Sequence, residues 1–239
     1  MGELWGYTSV GLAQSDEEMK EWLTSNKPNW GSKWQAGDVK YKDLTGEGEV
    51  TPGASTLENH GDLKRIGNNS PRYRVGLNLD AAWKGIDFSI FFQGVLKRDW
   101  MFDAGDPYFW GAGSGMWQAA CFEEHMDYWT PENTDAYYPK PYFNETKNQQ
   151  AQDAYMQKAS YLRCKNIQLG YTLPTHITEK AGISNCRIYL SCDNLFTITG
   201  LSSVYDPEAF GSYDGYGTSG KTYPLQRTIS VGVNSVSYT

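Results

Sequence analysis

The stretch of residues 73–97, YRVGLNLDAAWKGIDFSIFFQGVLK, decides the fold of this chain. Apolar side chains recur at every second position of its first half, with small or polar side chains between them. Successive side chains of a β-strand point to opposite faces, so this period of two predicts a strand with one apolar face. The side chains on that face are Tyr73, Val75, Leu77, Leu79, Ala81 and Trp83.

The second half of the stretch completes a β-hairpin. A two-residue turn at Lys84 and Gly85 would pair Leu79 with Ile90 and Leu77 with Phe92. A slip of one residue would send every side chain to the other face, so the match between the two apolar sets fixes the register. The second strand adds Phe88, Ile90 and Phe92 to the apolar face.

The length of the first strand indicates which medium its apolar face contacts. The ten steps from Tyr73 to Trp83 span roughly 33 Å at about 3.3 Å per residue. Tilted by roughly 40°, such a strand covers about 25 Å, the height of the lipid band on a transmembrane β-barrel. Tyr73 and Trp83 stand where interfacial aromatic girdles belong. A hairpin of a soluble β-sandwich alternates in the same way, although its strands are usually shorter, so both interpretations stay open here.

The composition argues against several classes of function. The chain has 239 residues and a net charge of −7, with 28 acidic and 21 basic side chains, which argues against a nucleic-acid partner. No uncharged apolar run approaches the length of a transmembrane helix. The start GELWGYTSV after Met1 lacks the basic and apolar regions of a signal peptide. We therefore expect a secreted barrel with this start to be a fragment of a longer protein.

Three further segments repeat the alternation of a strand, at residues 161–173, 186–198 and 223–238. In the middle segment, one face carries Cys186, Ile188, Leu190 and Cys192. Basic residues interrupt the apolar side of the other two segments, namely Arg163, Lys165 and Arg227. We therefore expect the lipid-facing part of the first segment to begin after Lys165.

The connections between the predicted strands alternate in length. The connections at 84–85 and 174–185 are short, whereas 98–154 and 199–222 are long. Outer-membrane barrels have short periplasmic turns and long extracellular loops, so the alternation favours a barrel. The sequence predicts an extracellular loop region at 1–72, followed by barrel strands with long loops at 73–239.

The five predicted strands are too few for a closed barrel, because single-chain barrels have at least eight strands. Two open edges would leave backbone groups unpaired in the bilayer. We expect the remaining strands to precede Met1, and we expect residues 1–239 not to fold alone.

Aromatic residues in the long loops are the candidate binding residues. Such rings can stack on sugars or contact a partner, and they can equally pack against one another to hold a large loop in shape. Both roles stay open at this point. The candidates are Trp100, Tyr108, Trp110, Trp117, Trp129, Tyr205 and Tyr213.

The N-terminal region carries two local motifs. Ser15 followed by Glu18 forms a capping box that predicts a short helix over 16–23. Asp43 and Glu47 fall at the first and fifth positions of a calcium-loop pattern, but Ala54 replaces the bidentate Glu at position 12. A polar turn is therefore expected in preference to a metal site.

The remaining reactive residues predict neither an enzyme nor a cofactor. Cys121, Cys164, Cys186 and Cys192 lack the spacing of a zinc site and are expected to be free thiols. The three histidines lie far apart in sequence, and neither HExxH nor GxSxG is present.

Six segments resemble the C-terminal portion of SusC/RagA-type TonB-dependent transporters. They are SPRYRVGLNLDAAWKGIDFSIFFQGVLKRD (70–99), HMDYWTPENTDAYYP (125–139), ASYLRCKNIQLGYTLP (159–174), RIYLSCDNLFTITG (187–200), YDPE (205–208) and YPLQRTISVGVN (223–234). The chain departs from the family at Thr45 and Glu47 in its DxNGDG-like turn. It also departs at its end, where Gly232 to Tyr238 carries one extra residue.

This resemblance implies a 22-stranded barrel in the outer membrane of a Bacteroidetes-type bacterium, of which these strands would be the last five. The signal, the TonB box and the plug would lie in the N-terminal part. The implied partners are a SusD-like surface lipoprotein, the TonB complex, outer-membrane lipid and a glycan or peptide ligand. The expected function is import of a large nutrient, most often an oligosaccharide.

Two other classes of protein stay open on the residues alone. A secreted β-sandwich that binds carbohydrate would bury Leu77, Leu79, Ile90 and Phe92 in its core. A glycoside hydrolase would need two carboxylates whose individual loss abolishes turnover.

Overall fold

The computed structural model of the chain describes residues 2–114, 121–209 and 223–237. The strands in this part of the chain are β1 (Glu3–Gly6), β2 (Ser9–Leu12), β3 (Lys27–Pro28), β4 (Val39–Tyr41), β5 (Glu49–Val50), β6 (Lys64–Asn68), β7 (Arg74–Trp83), β8 (Ile86–Val95), β9 (Asp99–Trp100), β10 (Gln157–Thr172), β11 (Ile183–Gly200) and β12 (Thr228–Ser237). The helices are α1 (Asp16–Trp22) and α2 (Thr175–Thr178), with 3-10 turns at Gly111–Gly113, Glu123–Met126 and Glu179–Ala181. No helix among these residues is long and apolar enough to cross a membrane.

The chain divides into two compact units, each assembled from three separate segments. The wall unit comprises Pro71–Arg98, Lys158–Leu201 and Pro224–Thr239, and the loop unit comprises Met1–Ser70, Asp99–Gln157 and Ser202–Tyr223. The two long connections predicted from the sequence thus belong to the same unit as the N-terminal 70 residues. Their extracellular position stays a prediction.

The wall unit contains an antiparallel sheet in which strands follow chain order. The order is β7, β8, β10, β11, β12, so each strand pairs with the next wall strand along the chain. The predicted hairpin is confirmed, because Leu79 pairs with Ile90 and Leu77 pairs with Phe92. Lys84 and Gly85 both have positive φ, 48° and 87°, as the twist of a two-residue hairpin turn requires.

Cross-strand pairing carries the alternation of the hairpin across the whole sheet. Three rows of apolar side chains lie on one face, which we call the apolar face: Leu79, Ile90, Ile167, Cys192 and Ile229; Ala81, Phe88, Leu169, Leu190 and Val231; Trp83, Ile86, Tyr171, Ile188 and Val233. The opposite, polar face carries rows such as Asp80, Ser89, Gln168, Ser191 and Ser230. Five strands therefore share one register and one division into apolar and polar sides.

A β-bulge in β10 corrects the prediction for Arg163. Cys164 pairs with Phe92 and Asn166 pairs with Phe91, so Lys165 is an extra residue opposite β8. The extra residue shifts the preceding part of β10 by one position, so that Arg163 lies on the polar face. There its Nε donates a hydrogen bond to Thr197 Oγ1 at 2.7 Å. The apolar face extends back to the buried Cys164 opposite Phe92, and the start of the lipid-facing part after Lys165 stays a prediction.

The last predicted strand is shorter than expected. Residues 223–227 are described but do not belong to a strand, and β12 begins at Thr228. Pro224 lacks the N–H group that a ladder hydrogen bond requires, which is consistent with a late start. The predicted interruption at Arg227 thus falls before the strand, and Tyr238 lies outside the described residues.

The loop unit is held by short strands and side-chain hydrogen bonds. Its small sheets pair β1 with β6, β2 with β4 and β3 with β5. The predicted helix is confirmed as α1, whose N-cap Ser15 accepts a hydrogen bond from the N–H of Glu18 at 3.1 Å. The Glu18 carboxylate in turn accepts the N–H of Gln14 and pairs with Lys40. These bonds satisfy the amide groups that a helix leaves open at its start.

Candidate functional site

Three of the predicted binding aromatics are buried in the loop unit. Trp110, Trp129 and Tyr205 each expose only 5% of their surface, so most of each ring contacts the protein itself, and a contact with substrate or partner stays a prediction. Trp100 and Tyr108 are half-buried. Trp117 and Tyr213 lie outside the described residues.

The buried rings pack against one another and form a core for the long loops. Phe102 stacks on Phe109 with ring centres 4.7 Å apart and on Tyr205 at 4.2 Å. Trp110 meets Tyr155 edge to face at 4.9 Å. Such pairs contribute about 0.5–1.5 kcal/mol each beyond the area they bury. The aromatic residues therefore supply the packing that long connections need in order to be ordered.

A buried carboxylate ties the two long connections together. Asp106 accepts the hydroxyl proton of Tyr205 at 2.9 Å and also accepts the N–H groups of Tyr108 and Phe109. Burial raises the pKa of Asp106 above its ordinary value and raises the pKa of Tyr205 as well. Three donors converge on a side chain that water does not reach, so this is a structural anchor.

A cavity of about 280 Å³ lies within the loop unit and was not predicted from the sequence. Its walls are largely aromatic and prolyl, with one ammonium and one carboxylate group. The residues that define it are Trp110, Tyr128, Tyr138, Lys140, Tyr142 and Glu145. The motif at 125–139 supplies several of these residues, but only the fold brings them opposite residues 110–113 and 140–149. Burial raises the pKa of Tyr138 and Tyr142 above the ordinary range, so both hydroxyls stay protonated.

The polar groups around the cavity are mostly committed to the protein. Asn148 donates to Asp38 and accepts the N–H of Val39, and Gln149 accepts the N–H of Gly105 at 2.7 Å. His125 accepts the N–H of Phe122 through Nδ1, and its Nε2 lies 3.0 Å from the carbonyl oxygen of Tyr108. The cavity therefore offers an apolar interior with few free hydrogen-bonding groups.

A second and shallower depression of about 540 Å³ lies in the loop unit around Tyr108 and Phe122. Glu124 belongs to it and accepts hydrogen bonds from the hydroxyl groups of Ser202 and Ser203. Burial alone would raise the pKa of Glu124, but these hydrogen bonds outweigh it and hold the pKa below its ordinary value. Glu124 is thus occupied in fastening the segment around residue 202.

A buried ion pair connects two segments beneath the aromatic residues. Lys147 Nζ lies 2.8 Å from Asp38 Oδ2, and both side chains are essentially inaccessible, with 1% and 0% of their surface exposed. The same ammonium group donates to the carbonyl oxygens of Ser32 and Lys33 and lies 4.1 Å from the ring centre of Tyr142. All three ammonium protons therefore have acceptors within the protein.

The weak metal motif is a self-contained turn. Asp43 accepts the N–H groups of Thr45, Gly46 and Gly48, and Asp62 accepts those of Leu44, Thr45 and Thr51. Among the residues that the structure covers, no group of three His, Cys, Asp or Glu side chains could hold a metal ion. The cysteines at 121, 164, 186 and 192 are free thiols, as predicted.

The apolar face of the wall unit is the second candidate surface. Leu77 and Leu79 expose 52% and 50% of their surface, and Val231 exposes 74%. Among the other predicted lipid-facing residues, Tyr73 and Trp83 are exposed, while Val75, Phe88, Ile90 and Phe92 are half-buried on the same face. Soluble monomers rarely expose contiguous apolar patches of this kind, so the face indicates contact with lipid or protein.

Two curated proteins of Formosa agariphila are similar to this chain. TonB-dependent receptor P3 is 28% identical over 241 residues, which is 98% of the chain and 22% of the receptor. TonB-dependent receptor P26 is 26% identical over 205 residues, which is 83% of the chain and 19% of the receptor. The chain thus spans about a fifth of the length of these relatives. No protein-family model matches it.

Solved structures of the RagAB peptide importer share the fold. The open-open state superposes with a TM-score of 0.64 at 23% identity, covering 98% of the chain and 22% of the solved chain. The closed-closed state gives a TM-score of 0.61 at 20% identity, with coverages of 98% and 23%. This likeness confirms the predicted fold, an all-β fragment of a transporter barrel.

Proposed function

We propose that this chain, a segment of an outer-membrane protein of the SusC/RagA type of TonB-dependent receptor, contributes barrel wall and loops to a nutrient importer. The observation that carries the proposal is that five long strands of one sheet follow chain order, with an exposed apolar face and a separate polar face. A barrel wall needs this arrangement, since one side contacts hydrocarbon and the other a polar interior.

The soluble alternatives fit the structure less well. A β-sandwich would cover Leu77 and Leu79 with a second sheet, yet both are about half exposed. A hydrolase would place two free carboxylates across a cleft. Asp106 and Glu124 are instead occupied by internal hydrogen bonds.

We propose an oligomeric nutrient as the substrate. The family resemblance implies an oligosaccharide or a peptide, and three of the loop rings that could stack on a sugar are buried. The structural relative is described as a peptide importer, which supports a peptide as the first class to test. A SusD-like lipoprotein and the TonB complex are proposed partners of the intact receptor on the strength of the family.

Spin labels on adjacent residues test the orientation of the wall. In the intact receptor in lipid bilayers, with the native cysteines replaced, Leu79→Cys and Val231→Cys labels should be relaxed mainly by oxygen, which concentrates in lipid. Asp80→Cys and Ser230→Cys, their neighbours on the polar face, should respond mainly to a water-soluble nickel chelate. Equal responses at neighbouring positions would refute the barrel-wall assignment.

Uptake tests the importer itself. Cells with and without the receptor are given a mixture of labelled peptides and, separately, labelled oligosaccharides. Receptor-dependent and TonB-dependent accumulation of one class is expected. Accumulation that is the same in both strains for both classes would contradict the proposal.

A further inference from the structure

The cavity of the loop unit is a partly open and mainly apolar space, and its described lining includes two charged side chains without an ion-pair partner. The aromatic core around Phe102 and Phe109 is filled by its own side chains. The cavity is not filled in this way, and its volume of about 280 Å³ exceeds the roughly 150 Å³ that suffices to hold a benzene molecule in a protein interior.

Its lining favours an apolar guest over a sugar. Trp110, Met126, Pro139 and Pro141 contribute apolar surface. The amide and imidazole groups that could bind sugar hydroxyls are already hydrogen-bonded within the protein, as described above for Asn148, Gln149 and His125. A sugar ring would lose the hydration of several hydroxyl groups and find only Lys140, Glu145 and tyrosine hydroxyls to replace it, at a cost of about 1–3 kcal/mol for each hydroxyl left unsatisfied.

Two charged side chains of the lining have no ion-pair partner in the described structure. Lys140 makes only a distant contact, 5.9 Å from the ring centre of Tyr142, and Glu145 has no hydrogen bond or salt bridge. An ammonium group can donate to a peptide carbonyl, and a carboxylate can accept a peptide N–H. Together they offer one donor and one acceptor to the main-chain groups beside a bound peptide side chain.

We propose that this cavity binds one aromatic or large aliphatic side chain of a peptide, with Lys140 and Glu145 holding the adjacent main chain. This inference rests on the proposed import function and names the substrate class. The bound residue would anchor an otherwise variable peptide, since the remaining contacts recognise only main-chain groups.

Gly113 offers a way to fill the cavity without straining the backbone. A Cβ atom at this position would lie 3.6 Å from Gln149 Nε2 and 3.7 Å from Pro141 Cα, which are ordinary contacts. Gly111, by contrast, has φ +56° and would place a Cβ 2.6 Å from the His125 ring, so it must remain glycine. Gly113→Ala and Gly113→Leu therefore form a graded series that occupies the cavity.

The test measures binding of two end-blocked peptides to the intact receptor by calorimetry. Gly-Ala-Phe-Ala-Gly should bind about 10- to 150-fold more tightly than Gly-Ala-Ala-Ala-Gly, as expected for burial of one phenyl group. Gly113→Leu should remove this preference and Gly113→Ala should reduce it. Ser25→Leu, an exposed position outside the cavity, should leave it unchanged.

Two further measurements keep the proposal open to refutation. Lys140→Met should weaken both peptides about tenfold and retain the preference for Phe, because it removes a charged hydrogen bond and keeps the apolar volume. Maltopentaose should show no dependence on Gly113. A Phe preference that survives in a correctly assembled Gly113→Leu receptor, or maltopentaose binding that is lost in it, would overturn the proposal. Either outcome would leave the spin-label and uptake tests of the importer unaffected.

Discussion

Replacing Lys147 with methionine should loosen the loop unit severely, because the substitution leaves the carboxylate of Asp38 buried without its counter-charge. Asp38 is fully inaccessible and would retain the N–H of Gln35, the side-chain amide of Asn148 and the hydroxyl of Tyr142 as neutral donors, none of which replaces the lost charge. Removing one partner of a buried ion pair lowers the free energy of unfolding by about 3–5 kcal/mol. The methionine keeps most of the volume beside Tyr142, so the loss is mainly electrostatic.

Hydrogen exchange of the intact receptor in lipid measures this change. Peptides covering 30–42 and 140–152 should lose protection by about 100- to 3,000-fold, since each 1.4 kcal/mol corresponds to a factor of ten. Peptides from β8 and β10 serve as an internal reference. The matched control is Lys64→Met, which removes the exposed pair with Asp153 at 2.9 Å and should change stability by at most about 1 kcal/mol.

A double-mutant cycle with Asp38→Asn isolates the interaction itself. If the two charges interact as the structure indicates, the double variant should be more stable than the sum of the single losses predicts, by about 2 kcal/mol or more. Additive losses, or a Lys147→Met effect no larger than that of Lys64→Met, would refute the argument that this pair holds the two segments together.

Two other predictions concern single side chains. Gly232→Ala should reduce barrel assembly and lower the urea midpoint of unfolding, because the new Cβ would lie 2.2 Å from the ring of Tyr189 and overpacking of this kind costs about 1–3 kcal/mol. Gly76→Ala is the control, since its Cβ meets only ordinary contacts and should be tolerated. Equal effects of the two substitutions in heat-modifiability gels would contradict this prediction. Because the pKa of Glu124 is lowered in the folded state, its stabilising contribution should be complete above its ordinary pKa and be lost as the pH falls below that value through the lowered folded-state pKa. The protection of residues 202–206 against hydrogen exchange, corrected for the intrinsic amide rate at each pH, should therefore fall on acidification in the wild type and stay nearly constant in Glu124→Gln.

The hairpin was predictable because its determinants are local. Alternation assigns each side chain to a face, and the Lys84–Gly85 turn has the positive φ angles that a two-residue hairpin demands. Once Leu79 is opposite Ile90, every other pair in the hairpin follows. The same logic extends to β11, whose apolar positions match the prediction without adjustment.

The bulge at Lys165 was not predictable from alternation. Periodicity assumes an uninterrupted strand, so Arg163 was assigned to the apolar side with its neighbours. The chain instead inserts one residue and places the guanidinium beside Thr197 on the polar face. A basic residue that breaks an apolar pattern can thus mark a change of register as well as an end of the lipid-facing segment.

The loop aromatics show why composition alone could not identify a binding site. Ordering a connection as long as 98–154 costs conformational entropy at every residue, and only a core of its own can offset that cost. Phe102 and Tyr205 belong to that core, so a high aromatic content is already required for folding. The side chains available to a ligand are those that the core leaves unused, which are the walls of the cavity together with Lys140 and Glu145. Variation among such receptors in what they bind should accordingly fall on these lining positions, while the stacked rings and the Lys147–Asp38 pair beneath them stay constant.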